Sequence, residues 1–201
     1  MVISFKEHFL LEAVGKGLTV FDLDDTLFTS GAKVSVIKDK KVIKMLNPAE
    51  FNTHKLSKGE SFDFGQFKDA KVFAQTATPI AKMVEKAKAI IKNATAKGSK
   101  VIISTARADF DNRDLFLKVL ESHGIKNVRV ERAGNFNLGS TAKNKKVIFR
   151  KYLGTGLYSR VRFFDDNMDN LNSFLSLKKA YPGIEFGAYH VRKDGSTKTV
   201  S

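Results

Sequence analysis

Three short stretches carry acids or hydroxyls directly after an apolar run. The first is Phe21-Asp22-Leu23-Asp24-Asp25-Thr26-Leu27, with three carboxylates inside four residues. Like charges this close are unfavourable unless a cation or a proton compensates them. In an extended chain Asp22 and Asp24 project from the same face, a repetition that a solvated turn or a helix cap does not require. The second is Val101-Ile102-Ile103-Ser104-Thr105-Ala106-Arg107, where hydroxyls end an apolar run; taken alone, it reads most simply as the cap of a following helix. The third is Arg162-Phe163-Phe164-Asp165-Asp166-Asn167-Met168-Asp169-Asn170. Asp169 lies four residues after Asp165, so one helical turn would bring the two together. One acid would satisfy a helix N-terminus; three acids and two amides exceed that need.

A lysine cluster, Lys143, Lys145 and Lys146, lies between the second and third stretches. Lys145 shares a helical face with Ile148, Phe149 and Tyr152, which would run its amine along the edge of the core. Spacing alone leaves open which of the three lysines faces the acids.

These residues need elements to hold them. The apolar runs at 18–21, 101–104, 128–130, 160–164 and 184–190 read as strands, and 78–98, 110–122, 141–153 and 168–180 as helices. Strands alternating with helices imply a parallel sheet with right-handed crossovers. Thr78-Pro79 reads as a helix start and Gly98 and Gly124 as stops. Residues 33–46 read as a β-hairpin, with two β-rich runs flanking Lys38-Asp39-Lys40-Lys41. Residues 47–77 read as irregular and polar, ending in a strand near Val72, residues 2–14 as a short amphipathic helix, and the tail from Arg192 as frayed. In an open parallel α/β sheet, ligands bind beyond the carboxyl ends of the strands; all three stretches lie at such ends.

The composition sets outer bounds. The chain has 201 residues, 42% of them hydrophobic, enough for one domain with a small insertion. Its net charge of +14 favours anionic partners, or else a solvated lysine-rich surface. The lack of cysteine excludes disulfides and thiolate metal sites. No stretch approaches the roughly 20 apolar residues of a membrane span, and the first residues lack a secretory pattern. A cytoplasmic protein with no membrane partner is expected.

FDLDDTLF, VIISTAR and FFDDNMDN, with a lysine before the last, resemble in type and order the motifs of the haloacid-dehalogenase superfamily. The resemblance spans residues 18–170 and rests most firmly on the first motif, Asp-x-Asp-x-Thr after a strand. It implies an α/β fold with a Rossmann-like parallel sheet, helices on both faces and a small cap after the first strand. The core would comprise residues 1–30 and 75–201, and the cap 31–74. It further implies that Asp22 is a nucleophile and Asp24 a general acid/base, and that Thr105 and Lys145 bind a phosphoryl group. Asp165 would ligate Mg2+ together with Asp22 and the backbone carbonyl of Asp24, with Asp166 and Asp169 as further candidate ligands. Arg107 would make a bidentate phosphate contact or pair with Asp109 or a helix-end acid. Dehalogenating members lack the aspartate at the place of Asp24, so phosphate chemistry is the expectation.

The cap would set the substrate. Residues 31–74 mix many lysines with Phe51, Phe62, Phe64, Phe67 and Phe73. Lysines attract phosphates and exposed aromatics stack on bases, although the preferred reading of these rings is the insertion's own small core. The expected substrate is a nucleotide or a nucleic-acid end, such as a 3′-phosphate. Alternatives are a sugar or nucleoside monophosphate, or a non-catalytic basic nucleic-acid-binding module of the same fold. A signalling receiver domain is disfavoured, because there the phosphorylated aspartate follows a later strand than the acidic pair.

Overall fold

In the computed structural model, which describes residues 16–96 and 98–201, the carboxyl ends of the apolar strands are brought to one edge of a six-stranded sheet. Its strands are β1 (Gly17–Phe21), β7 (Lys100–Thr105), β8 (Arg129–Arg132), β9 (Arg160–Asp165), β10 (Glu185–Val191) and β11 (Thr197–Val200), in the spatial order β11-β10-β9-β1-β7-β8. All neighbours are parallel except β10 and β11. From β1 the chain winds outward through β7 to β8, then returns to the other side of β1 as β9. The strand order therefore reverses between β1 and β9, and such a switch point opens a crevice beyond the strand ends.

Helices cover both faces, as the alternation of side chains along a strand demands. Phe21, Ile103 and Phe164 turn to one face, against Met83, Val84 and Ala87 of α3 (Ala81–Ala96) and Phe116 and Leu120 of α4 (Arg113–Ser122). Leu18, Val20, Ile102, Val161 and Phe163 turn to the other. There they meet Ile148 and Phe149 of α5 (Thr141–Leu153) and Leu171 and Phe174 of α6 (Met168–Leu175). A ladder of rings pins the register: Phe21 stacks on Phe164 at 4.8 Å, and Phe164 on Tyr189 at 4.6 Å. Offset-stacked rings on neighbouring strands stabilise a pairing beyond their buried area. One residue further on, the same register sets Asp22, Asp165 and His190 side by side.

Between β1 and α3 lies a second, smaller layer. A two-stranded ribbon pairs β2 (Phe28–Thr29) with β6 (Thr78–Pro79). The chain between them forms a three-stranded antiparallel sheet, β4-β3-β5, from β3 (Val34–Lys38), β4 (Lys41–Leu46) and β5 (Glu60–Asp63), with two short helices, α1 (Pro48–Thr53) and α2 (Ala70–Thr76). The β3–β4 hairpin turns at Asp39 and Lys40, both with positive φ, as tight hairpins of right-twisted strands require. Val34, Val36 and Leu46 make its core, with Phe51, Phe62 and Phe67 packed on it.

The hairpin at 33–46 is thus as expected, but residues 47–77, expected to be irregular, hold α1, started by the Asn47 cap and Pro48, and β5, which pairs with β3, and three further elements differ. The stretch around Val72 is helical, because Asp69 caps α2 through the amides of Lys71 and Val72. Thr78-Pro79 is a strand rather than a helix start. Phe28 and Thr29 pair with it, and Pro79 at the edge of a two-stranded ribbon gives up no needed donor; α3 begins only at Ala81. The tail from Arg192 is ordered as β11, which pairs with β10 between Ala188–Val191 and Thr197–Val200. The amphipathic helix expected at 2–14 falls outside the described residues. No helix among them is long and apolar enough to cross a membrane.

Candidate active site

The turn after β1 begins the site. Leu23, Leu27 and Phe28 are fully buried, and the amides of Leu27 and Phe28 both donate to the Leu23 carbonyl. The chain folds back through Asp25, whose φ of 56° belongs to the left-handed region that aspartate tolerates better than most residues. Asp22 and Asp24 are thereby sent to different partners.

Asp22 is buried, and its amide donates to the Phe164 carbonyl at 2.9 Å, which locks the end of β1 to β9. Its Oδ1 accepts a hydrogen bond from Lys145 Nζ at 2.6 Å, and the same ammonium donates to Asp165 Oδ2 at 2.7 Å. Lys145, on the first turns of α5, is only 2% exposed. Among the three candidate lysines it alone reaches the acids; Lys146 bonds instead to Ser176, and Lys143 sits at the capped start of α5. Asp165 is held further by the amide of Asn167 and by Asn170 Nδ2, 3.0 and 3.1 Å from its two oxygens. Asp166 receives the Thr26 hydroxyl at 3.5 Å, and its amide donates to the same hydroxyl at 3.1 Å. His190 Nε2 donates to the Asp166 carbonyl at 2.9 Å, so that nitrogen carries the proton.

Carboxylate oxygens of Asp22, Asp165 and Asp166 lie within 4.8 Å of one another, so these three residues can hold a metal ion. Three acids share this corner with one lysine. Burial pushes the Asp22 carboxyl well above the usual carboxylate range; the Lys145 ammonium opposes that, while Asp165, Asp166 and Asp24 add to it. Asp166 is pushed up to about 7, first by burial and then by Asp165 and Asp25. Burial alone would lower Lys145, but its charge and hydrogen-bond contacts with Asp165 and Asp22 outweigh this and hold the ammonium above its ordinary value. A divalent cation would offset the burial and the carboxylate repulsion that raise the two aspartates, and the all-oxygen donor set suits a hard ion.

Asp24 faces the opposite wall. Arg107 Nε donates to its Oδ2 at 2.8 Å and Nη2 to its Oδ1 at 2.6 Å. Arg107 also donates to Ser30 Oγ and to the Phe67 carbonyl, and its guanidinium lies about 5 Å from the ring centres of Phe67 and Phe73. Its side chain is 1% exposed. Four hydrogen bonds from a group with five N–H donors leave no free fork, so the bidentate phosphate contact expected of Arg107 requires the Asp24 pair to open. Asp109, its other expected partner, lies instead 3.6 Å from Arg132. The Arg107 backbone is held by a close approach at Gly134, where a Cβ would lie 2.3 Å from the Ala106 carbonyl oxygen, closer than any side chain permits. Thr105 is fully buried, and its hydroxyl accepts the Arg107 amide at 3.1 Å, which leaves its own proton to donate.

Of the residues expected to ligate metal, Asp169 is not in the cluster. The strand runs to Asp165 and α6 starts only at Met168, so helical spacing does not connect the two acids; Asp169 lies in the exposed first turn, its amide capped by the Asn167 side chain, and Asn170 takes the place beside Asp165. The Asp24 carboxylate is committed to Arg107. Thr26, Asn170, Ser30 and Gly134 were given no role by the sequence. Asn170 could have been found, since the third stretch holds more amides than a cap uses. No known family model matches the sequence, and no curated protein does either.

Proposed function

We propose that this protein is a Mg2+-dependent phosphomonoesterase of the haloacid-dehalogenase type, working through an aspartyl-phosphate on Asp22. The observation that most supports it is the Lys145 ammonium bridging Asp22 and Asp165 at 2.6 and 2.7 Å, in a corner that three carboxylates can share with a cation. In this reading the small sheet of β3, β4 and β5 is the cap.

Asp22 Oδ attacks phosphorus as the bond to the leaving oxygen breaks. Asp24, once its pair with Arg107 opens and it has taken up a proton from solvent, supplies the proton that the leaving oxygen needs, then removes one from the water that attacks the acyl phosphate, releasing inorganic phosphate and restoring Asp22. Lys145 and the Thr105 hydroxyl stabilise charge on the phosphoryl oxygens. Arg107 is a positioning residue for Asp24. Asp22, Asp165 and Asp166 would hold Mg2+, which would supply the positive charge that lets an anionic carboxylate approach an anionic ester.

The test is phosphate release from an aryl phosphate, with and without Mg2+, by the native protein and by Asp22→Asn. Release that requires both the metal and Asp22 is expected. Undiminished release by Asp22→Asn in folded protein would remove Asp22 from its role.

A further inference from the structure

From Asp24 and Arg107 a cleft of about 670 Å³ runs outward beneath the small sheet. That volume lies inside the range of about 300–1,000 Å³ typical of small-molecule sites. Its inner end is polar, with Asp24, Asp25 and Arg107. Its outer wall is aromatic, built from Phe51, Phe62, Phe64 and Phe67.

These four rings are not equivalent. Phe51, Phe62 and Phe67 pack on Val34, Val36 and Leu46 and so serve the small core, and Phe67 also lies against the Arg107 guanidinium. Phe64 lies outside that core and is 44% exposed. Its three ring neighbours meet it at interplanar angles of 82°, 58° and 60°. They fix its orientation edge-on or tilted, and among the described residues none stacks flat upon it. A large apolar ring held rigidly at a cleft wall is a platform for another flat ring, and base–aromatic stacking is the general use of such a platform beside a phosphate site. Lys68, exposed on the same wall, adds a cation near the outer end.

We propose that this cleft is a nucleobase subsite, in which Phe64 stacks the base of a phosphomonoester whose phosphate lies at Asp22 and Lys145. The inference rests on the phosphatase reading for the place of the phosphate. A base on a free nucleotide and one on the last nucleotide of a strand share this chemistry.

Binding to Asp22→Asn, which holds substrate without turning it over, tests the subsite by titration calorimetry with Mg2+ present. The probes are AMP, ribose 5-phosphate and a 3′-phosphorylated oligoadenylate. AMP is expected to bind at least about tenfold more tightly than ribose 5-phosphate, the size of one base–aromatic stack. In Phe64→Ala on the same background that ratio collapses towards one. Phe64→Tyr restores it, and Phe136→Ala, an exposed ring that does not line the cleft, does not change it. The oligonucleotide binding more tightly than AMP assigns the base to a strand end; the reverse assigns it to a free nucleotide. Equal binding of AMP and ribose 5-phosphate, or a ratio indifferent to Phe64, overturns the subsite and leaves the phosphatase reading intact. Base-selective binding through Phe64 without native turnover supports the subsite and defeats the catalytic reading instead. Repeating the titration on native protein in EDTA guards against a fold damaged by Asp22→Asn.

Discussion

Two cations are buried in this molecule within reach of the same short turn, and they are compensated in different ways. Lys145 enters a corner of three carboxylates, bridges two of them and is sealed from water. Arg107 serves one carboxylate, Asp24, whose side chain is still 26% exposed, and spends its remaining contacts on a hydroxyl, a carbonyl and aromatic faces. The first region has an excess of negative charge that a metal could share. The second is closed on itself. The site therefore divides between a wall whose three acids could share a cation and a wall that holds an acid still.

Removing each cation should expose that difference. Lys145→Met leaves buried acids without their counter-charge, so it should lower stability in EDTA by about 3–5 kcal/mol, the usual cost of breaking a buried pair. Saturating Mg2+ should return part of that loss, and urea unfolding with and without the metal measures it. Arg107→Lys keeps a charge but loses the fork, and Asp24 can turn towards water, so a smaller loss of about 1–3 kcal/mol is expected, with no recovery from Mg2+. Equal metal rescue of both variants would erase the contrast between the two walls.

A further effect is a pH dependence centred on the acidic corner. Asp166 rises from 3.8 to about 7 on folding, so between those values the folded state binds more protons than the unfolded chain. Through this group the stability of metal-free protein should fall as pH rises from about 4 to about 7 and level off above. Metal must displace the same proton, so metal affinity should rise with pH up to about 7. Asp166→Asn should flatten both trends, as thermal unfolding over a pH series would record; an unchanged slope would mean that another group carries it.

Much of this arrangement was legible in the sequence where burial imposes a period. The strands read at 101–104 and 160–164 and the helix at 141–153 follow from apolar patterning, and with them the placing of Asp22 and Asp165 at one sheet edge; which of Lys143, Lys145 and Lys146 joins them did not follow from spacing. Elements held by a distant partner rather than by their own burial were not legible. Thr78-Pro79 is a strand because Phe28-Thr29 lies alongside, and β11, polar and half exposed, is a strand because β10 offers an edge. Side-chain direction was equally hidden. Asp24 shares a period with Asp22, yet the turn at Asp25 delivers it to Arg107, and Asp169 has the right separation from Asp165 but the wrong backbone between them.

The Asp22 amide that bonds to the Phe164 carbonyl, and the Thr26 hydroxyl that meets Asp166 from 140 residues away, carry a consequence for how the molecule comes into being. The acidic corner is closed by the pairing of one of the first described strands with one that emerges late. Such a long loop is slow to close, and a ribosome-bound chain has no centre until β9 has left the exit tunnel. The acidic corner is thus assembled only when β9 docks against β1, and the recovery of the proposed phosphatase activity in a refolding experiment would time that step.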